Sequence, residues 1–452
     1  MRILLTVHQF LPRYFSGTEI LTYEYACELR RRGHEVHILA AEPAAPGVAR
    51  SQPFSSDQVD GLPVRRFHHH PAIGENPGYD EYRNEAVLRH VHEYARELKP
   101  DIVHLLHCHR LSAAVLEAVA ALGIPRIFTA TDFWFVCPVT QLKRHDQSLC
   151  RGPTWSGVSC LRCCVAQSQP ADIRRAIARR SNFVLGLFTL RHRFFPVHED
   201  PRLHLLKAML DRRGYLRRQL NQVQRIFVAT DLMRGILVEN GIRAGLIRKL
   251  PFGINAAWTR PFAGKTPAGG RRIGYIGTLY EHKGAHVLIK AFKALRQRRG
   301  AALRLYGDLG HFPEYARYLR ELAGDDPGII FAGSFPNEDV GRVLQDLDVL
   351  VVPSIWYENS PLIVLHALDT KTPVIASNVG GLAELIVHQG NGLLFERGDH
   401  AGLAALLQEV IDDADLLPRL RRDIAPVATI AESVTEIEKT YYEFTRPAAG
   451  ER

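Results

Sequence analysis

A short polar loop between two apolar runs carries residues that could bind an anion. Val349–Val352 is an apolar run that predicts a buried strand, and Pro353 ends it because proline cannot donate to a sheet ladder. The loop Ser354–Ser360 follows, and Pro361 suits the first turn of a helix, where its missing N–H costs no hydrogen bond. Backbone N–H groups at that helix start would point to the carboxyl ends of the strands, with Glu358 beside them. The stretch therefore predicts an anion site with a carboxylate at its edge.

Three histidines cluster where another predicted strand ends. His104, His107 and His109 lie at, or just after, the apolar run Asp101–Leu106. One interpretation is a set of hydrogen-bonded histidines that close the end of the strand. The other gives one imidazole a ligand-facing role, since histidine changes its charge near neutral pH.

Five of the seven cysteines lie within Cys137–Cys164. A C-x-x-C pair and two upstream thiols supply four candidate metal ligands, Cys137, Cys150, Cys160 and Cys163. Four thiolates suit a closed structural zinc site, whereas the long and irregular spacing favours reduced, buried thiols. A redox or iron–sulfur role is a third interpretation. In a reducing compartment the clustering argues against a disulfide framework.

Alternating strands and helices must position these groups. Arg2–Val7 predicts a strand, a glycine-containing loop follows, and Ile20–Arg32 predicts a helix, as in the opening unit of nucleotide-binding α/β domains. The alternation continues to a strand predicted at Ile226–Ala229. It restarts at Arg272, after a stretch with Gly, Pro and Lys that predicts a linker. We therefore expect two α/β domains whose parallel sheets are covered on both faces, with a cleft between the domains.

The same pattern sets the expected domain boundaries. Residues 1–250 form the N-terminal domain, residues 251–430 the C-terminal one, and residues 431–452 a helix that packs back on the N-terminal domain. The N-terminal domain includes the cysteine segment 137–164 and a basic helical insertion at 166–225. Residues 42–63, rich in Pro, Ser and Ala, predict an exposed loop.

The composition is that of an ordinary globular protein, with 452 residues, 46% hydrophobic and 23% charged residues, and a net charge of +9. No run of eighteen apolar residues predicts a spanning helix, and the apolar run at the N-terminus is too short for a signal peptide, so we expect a cytoplasmic location.

The basic insertion suits either an anionic membrane surface or a solvated helical face. Its arginines are Arg174, Arg175, Arg179, Arg180, Arg191, Arg193, Arg212, Arg213, Arg217 and Arg218. They lack interleaved aromatic residues in a recognisable nucleic-acid-binding module, so we expect no nucleic-acid partner.

Several motifs resemble those of the retaining glycosyltransferases of family 4, whose GT-B fold joins two Rossmann-like domains with parallel sheets facing across a cleft. In chain order they are FSGTEILTYEYACELRRRGHEVHILA, PDIVHLLHCH, TDFWFVCP, LPFGIN, GYIGTLYEHKG, VVPSIWYENSPLIVLHAL, PVIASNVGGLAELI and NGLLF. The loop PSIWYENSP is similar to the subset of the family that has a PSxWYENxP donor loop. The motifs run over nearly the whole chain and leave only residues 166–225 outside.

This resemblance implies a nucleotide-diphosphate sugar donor on the C-terminal domain and a glycan or lipid-linked saccharide acceptor on the N-terminal side. Lys283 would stabilise the departing diphosphate and Glu358 would hold sugar hydroxyls, and with Asp132 these are the implied catalytic residues. The implied donor-binding residues are Gly17, Gly277, Lys283, Glu358, Asn359, Ser360, Pro361, Leu362, His366, Gly380 and Gly381. We expect that catalysis requires no cofactor, with zinc as a structural metal in the cysteine segment.

Three positions depart from the family pattern. In the family a second glutamate, separated from the first by seven intervening residues, grips the nucleotide ribose, and here His366 stands in its place. Thr131 replaces a histidine near the donor sugar, and Thr278 replaces a basic residue. We expect His107 or His109 to supply the missing imidazole on the acceptor or sugar side.

Two function classes follow from these motifs. The first is a retaining glycosyltransferase for polysaccharide or envelope glycan synthesis, cytoplasmic and peripheral on the inner face of the membrane. The second is a GT-B binding or scaffold protein that binds nucleotide or glycan without turnover, which the three departures motivate.

Overall fold

The computed structural model describes residues 1–44, 53–69, 78–167, 177, 179–194, 201–260, 265 and 270–445. The chain divides into two compact units. Unit 1 combines Met1–Leu250 with Val434–Arg452, and unit 2 is Pro251–Ser433. Parts of the basic insertion (168–176, 178 and 195–200), of the interdomain stretch (261–264 and 266–269) and of the C-terminal segment (446–452) lie outside the described residues.

Unit 1 is built on an eight-stranded sheet. Its strands are β1 (Arg2–Val7), β2 (Glu35–Pro43), β3 (Phe54–Val59), β4 (Leu62–His69), β5 (Ile102–Leu105), β6 (Arg126–Ala130), β7 (Arg225–Val228) and β8 (Ile247–Lys249). The strand order is β3-β4-β2-β1-β5-β6-β7-β8, and every neighbouring pair is parallel except β3 and β4. The order reverses between β1 and β5, so the loops after these two strands flank the point where α/β sheets usually bind ligands.

Helices surround this sheet. They are α1 (Gly17–Arg31), α2 (Glu85–Leu98), α3 (Ala114–Ala120), α4 (Val158–Gln167), α5 (Asn182–Phe194), α6 (Pro201–Leu220) and α7 (Asp231–Glu239). Side-chain caps fix two of the helix starts: Asn84 accepts the backbone N–H of Val87 before α2, and Thr230 accepts that of Met233 before α7.

The β3–β4 hairpin corrects the expectation of an exposed loop at residues 42–63. Asp60 and Gly61 join the two strands with φ angles of 49° and 75°, the left-handed conformation that a tight hairpin turn requires. Phe54 pairs with Phe67 across the hairpin. Residues 45–52 of the expected loop lie outside the described part of the chain.

Unit 2 is built on a six-stranded sheet in which all neighbours are parallel. Its strands are β9 (Arg272–Ile276), β10 (Ala302–Tyr306), β11 (Ile329–Gly333), β12 (Val349–Val352), β13 (Val374–Ser377) and β14 (Gly392–Phe395). Its helices are α8 (Ala285–Lys293), α9 (Pro313–Ala323), α10 (Val340–Gln345), α11 (Leu362–Asp369), α12 (Leu382–Leu385), α13 (His400–Asp412) and α14 (Leu416–Arg422). The order β11-β10-β9-β12-β13-β14 reverses between β9 and β12, so unit 2 has a switch point of its own.

The last helix, α15 (Ile430–Thr445), contributes to unit 1 from Val434 onward. The Tyr441 ring is fully buried there, and its hydroxyl lies 2.6 Å from Nδ1 of His104 on β5. Glu438 forms an ion pair with Arg32 at 2.9 Å and a hydrogen bond with His34 at 2.8 Å.

The two predominantly parallel sheets, each with helices packed around it, confirm the α/β class. Within the described ranges, the helices are too short or too polar to cross a lipid bilayer.

Candidate functional site

The loops that follow β9 and β12 bring Lys283 and Glu358 together at the switch point of unit 2. Lys283 ends a short 3-10 turn, and its Nζ lies 2.8 Å from Oε1 of Glu358. Gly284 comes next with a φ of 76°, and a Cβ at this position would collide with the carbonyl oxygen of Pro353. Glycine therefore permits the close packing of the two loops that pairs the charges.

Glu358 is a buried carboxylate with three donors on one oxygen. Ser354 Oγ at 2.7 Å and Trp356 Nε1 at 2.8 Å join Lys283 in donating to Oε1. Burial alone would raise the pKa of Glu358, but the Lys283 ammonium and these hydrogen bonds hold the pKa below its ordinary value. Glu358 is therefore ionised, and all three donors hold it through Oε1.

The Lys283 ammonium also lies over an aromatic ring. Its Nζ is 5.0 Å from the centroid of the Trp356 indole, against which the His282 ring packs at 4.4 Å. The Lys283 side chain keeps 27% of its surface exposed, against 7% for Glu358. The arrangement presents a fixed positive charge to solvent, which suits an anionic ligand.

A third loop, after β13, packs on the same segment. The Gly381 backbone N–H donates to the Glu358 carbonyl at 2.8 Å, and a Cβ at Gly381 would collide with the carbonyl oxygen of Asn359. Gly380 has a φ of 60°. The predicted residues Asn359, Ser360, Pro361 and Leu362 thus lie between Glu358 and the start of α11, and Asn359 and Ser360 are buried.

The remaining predicted residues of unit 2 are Gly277 and His366. Gly277 follows β9, and its N–H donates to the Tyr306 carbonyl at 3.0 Å. His366 is buried on α11, 6.0 Å from the ring centroid of Trp258, and burial lowers its pKa to about 4. Its Nδ1 is buried and has no hydrogen-bond partner among the described residues. A neutral imidazole with such an atom can still make one hydrogen bond to a ligand.

A second polar cluster occupies the switch point of unit 1, at the ends of β1, β5 and β6. The ring centroids of His8 and His107 are 4.3 Å apart, and His109 lies 6.3 Å from His8 and 6.2 Å from His107. His107 Nε2 lies 2.7 Å from Oδ2 of Asp132. The structure therefore brings the predicted His107, His109 and Asp132 together and adds His8 to them.

The contacts of His107 indicate its tautomer. Its Nδ1 accepts the backbone N–H of His109 at 3.0 Å, so the ring proton belongs on Nε2, facing Asp132. Burial would raise the pKa of Asp132, but His107 and the N–H of Trp134, 2.9 Å from Oδ1, hold it below its usual range. Asp132 is thus an ionised group that orients the His107 ring.

A fully buried acid, Glu19 on α1, extends this cluster. Its Oε1 accepts a hydrogen bond from Gln9 at 2.5 Å and lies 3.3 Å from Nε2 of His8, while its Oε2 is buried without a partner among the described residues. Burial raises the pKa of Glu19. Arg110 donates to Gln9 at 2.8 Å. The sequence argument missed this group, although His8 and Gln9 directly follow β1, a position typical of ligand contacts.

Three other predicted residues have distinct surroundings. His104 is held between Thr129 Oγ1, at 2.7 Å, and Tyr441, so it fits the interpretation of a hydrogen-bonded histidine at the strand end. Thr131 Oγ1 donates to the Leu106 carbonyl at 2.9 Å, which ties the end of β6 to β5. Gly17 is the first residue of α1, and a Cβ there would meet no atom within 4 Å.

The four predicted metal ligands lie around one cavity. Cys137, Cys150, Cys160 and Cys163 line a volume of about 20 Å³, and none of them is in a disulfide. In the described ranges, no three His, Cys, Asp or Glu side chains are already placed so that they surround one metal ion.

Two family models match the chain. The model described as Glycosyltransferase Family 4 matches residues 15–258, more than half of the chain, and the model described as Glycosyl transferases group 1 matches residues 270–413. The first match spans residues 166–225, the segment that the quoted motifs leave outside.

Two named glycosyltransferase relatives have moderate identity. A glycogen synthase of Mycobacterium tuberculosis is 34% identical over 176 residues, which are 38% of this chain and 41% of the relative. A D-inositol 3-phosphate glycosyltransferase of Corynebacterium efficiens is 31% identical over 188 residues, 40% of this chain and 44% of the relative. The chain thus matches less than half the length of either relative.

Solved structures share the fold over the whole chain. A crystal structure of Anabaena HepE in complex with UDP-glucose superposes with a TM-score of 0.63 and 16% identity, covering 97% of this chain and 100% of the other. This likeness confirms the expected GT-B architecture of two Rossmann-like domains.

Proposed function

Since the chain belongs to glycosyltransferase family 4, we propose that it is a retaining glycosyltransferase. It would move a sugar from a nucleotide-diphosphate sugar to a glycan or lipid-linked acceptor in polysaccharide or envelope glycan synthesis. The observation that carries the proposal is the Lys283–Glu358 pair at the switch point of unit 2. The names of a glycogen synthase relative and of a structural neighbour bound to UDP-glucose support the substrate class.

Lys283 is the group we assign to the diphosphate. Cleavage of the bond between the sugar and the diphosphate concentrates negative charge on the departing oxygen. An ammonium fixed over Trp356 stabilises that charge without reorganising at the moment of reaction. Backbone N–H groups at the start of α11, near Ser360 and Leu362, would add to this positive potential.

Glu358 is the group we assign to the sugar. Its Oε1 is saturated by Lys283, Ser354 and Trp356, which leaves Oε2 to accept hydrogen bonds from sugar hydroxyls. The buried carboxylate would therefore fix the donor sugar beside the diphosphate. The PSIWYENSP loop that carries it is the donor loop of the proposed subset.

The proposed reaction is a front-face transfer. The bond between the anomeric carbon and the diphosphate oxygen breaks, and its electron pair stays on that oxygen. The acceptor oxygen bonds to the same face of the carbon, and its proton passes to the departing phosphate. These steps need no protein base and no cofactor.

The family resemblance implies the remaining donor contacts. Gly277, Gly380 and Gly381 offer backbone next to Lys283 and Glu358, and His366 would contact the nucleotide ribose with one hydrogen bond. In unit 1, Gly17 would approach the diphosphate through its bare backbone.

The histidine cluster of unit 1 would act on the sugar or acceptor side. His107, oriented by Asp132, would replace the imidazole that Thr131 lacks, with His109 beside it. Asp132 would thus act through His107.

We also propose that the protein is cytoplasmic and peripheral on the inner face of the membrane. Phe183, Leu187 and Phe194 on α5 are 75%, 55% and 64% exposed. Exposed arginines accompany them at Arg179 and Arg191. Apolar side chains beside basic ones suit insertion into an anionic lipid surface, where a lipid-linked acceptor would be found.

The central test is turnover across a panel of UDP-, GDP- and ADP-sugars, followed as nucleotide release with and without glycan acceptors. Wild type should turn over at least one donor, and Glu358→Ala should not. Tight nucleotide binding with no turnover of any donor would contradict the proposal and favour a scaffold.

A further inference from the structure

The cavity lined by Cys137, Cys150, Cys160 and Cys163 belongs to unit 1, and the proposed transfer reaction does not use it. These residues are irregularly spaced in the sequence, yet all four line one volume of about 20 Å³. Cys164, next to Cys163 on α4, does not line it.

A hairpin-like loop presents the first two thiols. Cys150 donates its backbone N–H to the Leu142 carbonyl at 2.7 Å, and Lys143 bridges Leu149 in antiparallel fashion. These bonds bring Cys150 back beside Cys137, although twelve residues separate the two in the sequence. The chain thus folds back to bring these two thiols together, which a C-x-x-C pair achieves through its short spacing.

Backbone N–H groups point at three of the four sulfurs. Cys137 accepts hydrogen bonds from the N–H groups of Val139 and Leu142, and Cys163 accepts one from that of His145. The Gly152 N–H lies 3.3 Å from the sulfur of Cys150, which as a thiol also donates to the Gly152 carbonyl at 3.4 Å. Burial raises the pKa of Cys137 to about 11 and that of Cys163 above its ordinary value, so both are thiols without a metal, and the N–H groups hold their sulfurs in place.

The other two thiols come from one face of a helix. Cys160 and Cys163 are three positions apart near the start of α4 (Val158–Gln167), so their side chains project from the same side. Two thiols from the hairpin-like loop and two from α4 line one small volume. Four thiols placed in this way can coordinate a tetrahedral metal ion.

Contacts outside the cavity hold the loop in place. Arg151 forms two hydrogen bonds to Glu239, at 2.7 and 2.6 Å, and its carbonyl accepts Nδ2 of Asn240 at 2.8 Å. Gly152 has a φ of 129°, and a Cβ there would collide with the Asn240 side chain. The backbone beside Cys150 is therefore fixed on the segment after α7.

We propose that Cys137, Cys150, Cys160 and Cys163 bind one structural Zn²⁺ as a tetrathiolate site. No three candidate ligands in the described ranges yet surround one point, so binding requires the sulfurs to turn into the cavity. A change of χ1 rotamer redirects a cysteine sulfur without moving its backbone. The four protons lost by the thiols leave to solvent, and no electron transfer is involved.

The zinc ion would brace the segment that leads away from the histidine cluster. Cys137 lies five residues after Asp132, and its N–H donates to the Phe133 carbonyl at 2.7 Å. The intervening Trp134 carbonyl accepts Arg212 of α6 at 2.6 Å. Loss of the ion would loosen this connection, whether or not the chain transfers sugars.

The test is the zinc content of the full chain purified under reducing conditions, measured by inductively coupled plasma mass spectrometry. Wild type should carry about one zinc per chain, as expected for a closed four-thiolate site. Cys164→Ser, the neighbouring control, should carry the same amount. Serine at any of the four proposed positions should reduce the zinc content severalfold.

Wild type alone gives a second readout that does not depend on the variants folding. Alkylation followed by mass spectrometry should find the four thiols protected until a chelator releases the zinc, and Co²⁺ loading should give the absorption of a tetrahedral thiolate complex. A wild-type chain that binds neither metal, or a Cys164→Ser loss equal to the others, would overturn the proposal. So would the absorption of an iron–sulfur cluster.

Discussion

Lys283 and Glu358 meet at 2.8 Å although 75 positions separate them in the chain, because they follow the two strands between which the sheet order reverses. Four groups, Lys283, Ser354, Trp356 and Glu358, form one connected unit. A substitution of Lys283, Ser354 or Trp356 therefore removes a hydrogen bond to the Glu358 carboxylate.

Removal of the Lys283 charge should slow transfer much more than it weakens nucleotide binding. Lys283→Met should lower kcat by about 10²–10³, the usual effect of losing one donor to a developing oxyanion. Lys283→Arg keeps the charge and should retain more activity. Steady-state kinetics with the best donor of the panel, beside calorimetry with the free nucleotide diphosphate, separates the two effects. Equal kcat in wild type and Lys283→Met would contradict the assigned role.

Substitution of the imidazoles in unit 1 should distinguish them from Thr131. His107→Ala and His109→Ala should lose donor turnover, whereas Thr131→Ala should keep it because its hydroxyl only ties two strand ends together. Nucleotide release gives the rates, and circular dichroism checks that each variant folds. If all three variants keep full activity, no imidazole of this region takes part.

Glycine at position 17 should matter for activity and not for stability. A Cβ at Gly17 meets no atom within 4 Å, so Gly17→Ala should unfold at the wild-type temperature or above it. Its kcat/KM for the donor should fall if the diphosphate needs bare backbone there. Gly381→Ala is the contrast, since its Cβ would collide with the Asn359 carbonyl and should lower the unfolding temperature. A fully active Gly17→Ala enzyme would remove Gly17 from the donor site.

The apolar face of α5 should control membrane binding. Wild type should co-sediment with vesicles containing phosphatidylglycerol at low salt and less so at high salt, because arginines near a surface are screened. The double variant Phe183→Ser, Leu187→Ser should bind several-fold less. Val387→Ser replaces an equally exposed apolar residue, 64% exposed, in unit 2 and should bind like wild type. No wild-type binding at low salt would exclude this surface.

Stability should fall as the pH drops from about 6.5 towards 4. Burial lowers the pKa of His366 to about 4 and that of His109 to about 3, against an ordinary value of 6.5. In this window the unfolded chain binds protons that the folded chain does not, so the free energy of unfolding decreases as the pH falls.

The His366→Gln variant removes the contribution of one histidine. Between pH 7 and 5 its free energy of unfolding should fall by about 2 kcal/mol less than that of wild type, because a single histidine with this pKa shift contributes that amount. His311→Gln, at an exposed position, should follow wild type. Urea unfolding at the two pH values measures the difference. Below the ordinary carboxyl pKa, protonation of Glu358, whose folded pKa is lowered, should destabilise all three proteins further.

The buried parallel strands of unit 2 could be predicted from the sequence alone. Val349–Val352 is a continuous apolar run because both faces of the sheet are covered, and the structure gives β12 the same bounds. The predicted helix after Pro361 begins at Leu362, since proline fixes the turn before it. Lys283 and Glu358 could be selected from motifs, but their contact depends on strand order, which no local pattern encodes.

Other features depend on tertiary contacts or on weak local signals. Strand β3 is mostly polar, and the Asp60-Gly61 pair is the one sequence signal that predicts a hairpin there. In the sequence, Glu19 resembles an exposed acid in the first turn of a helix. In the structure it is buried, because His8 and Gln9 pack beside it. Trp356 could not be assigned a partner from sequence because its indole reaches the carboxylate two residues ahead only in this loop conformation.

The burial of Tyr441 against His104 has a consequence for synthesis on the ribosome. The sheet of unit 1 is translated first, yet a core position beside β5 stays unfilled until α15 has left the exit tunnel. By then the whole of unit 2 has emerged and can have folded. The N-terminal half therefore lacks one core contact until α15 emerges, and the emergence of α15, more than completion of that half, sets the moment at which unit 1 closes.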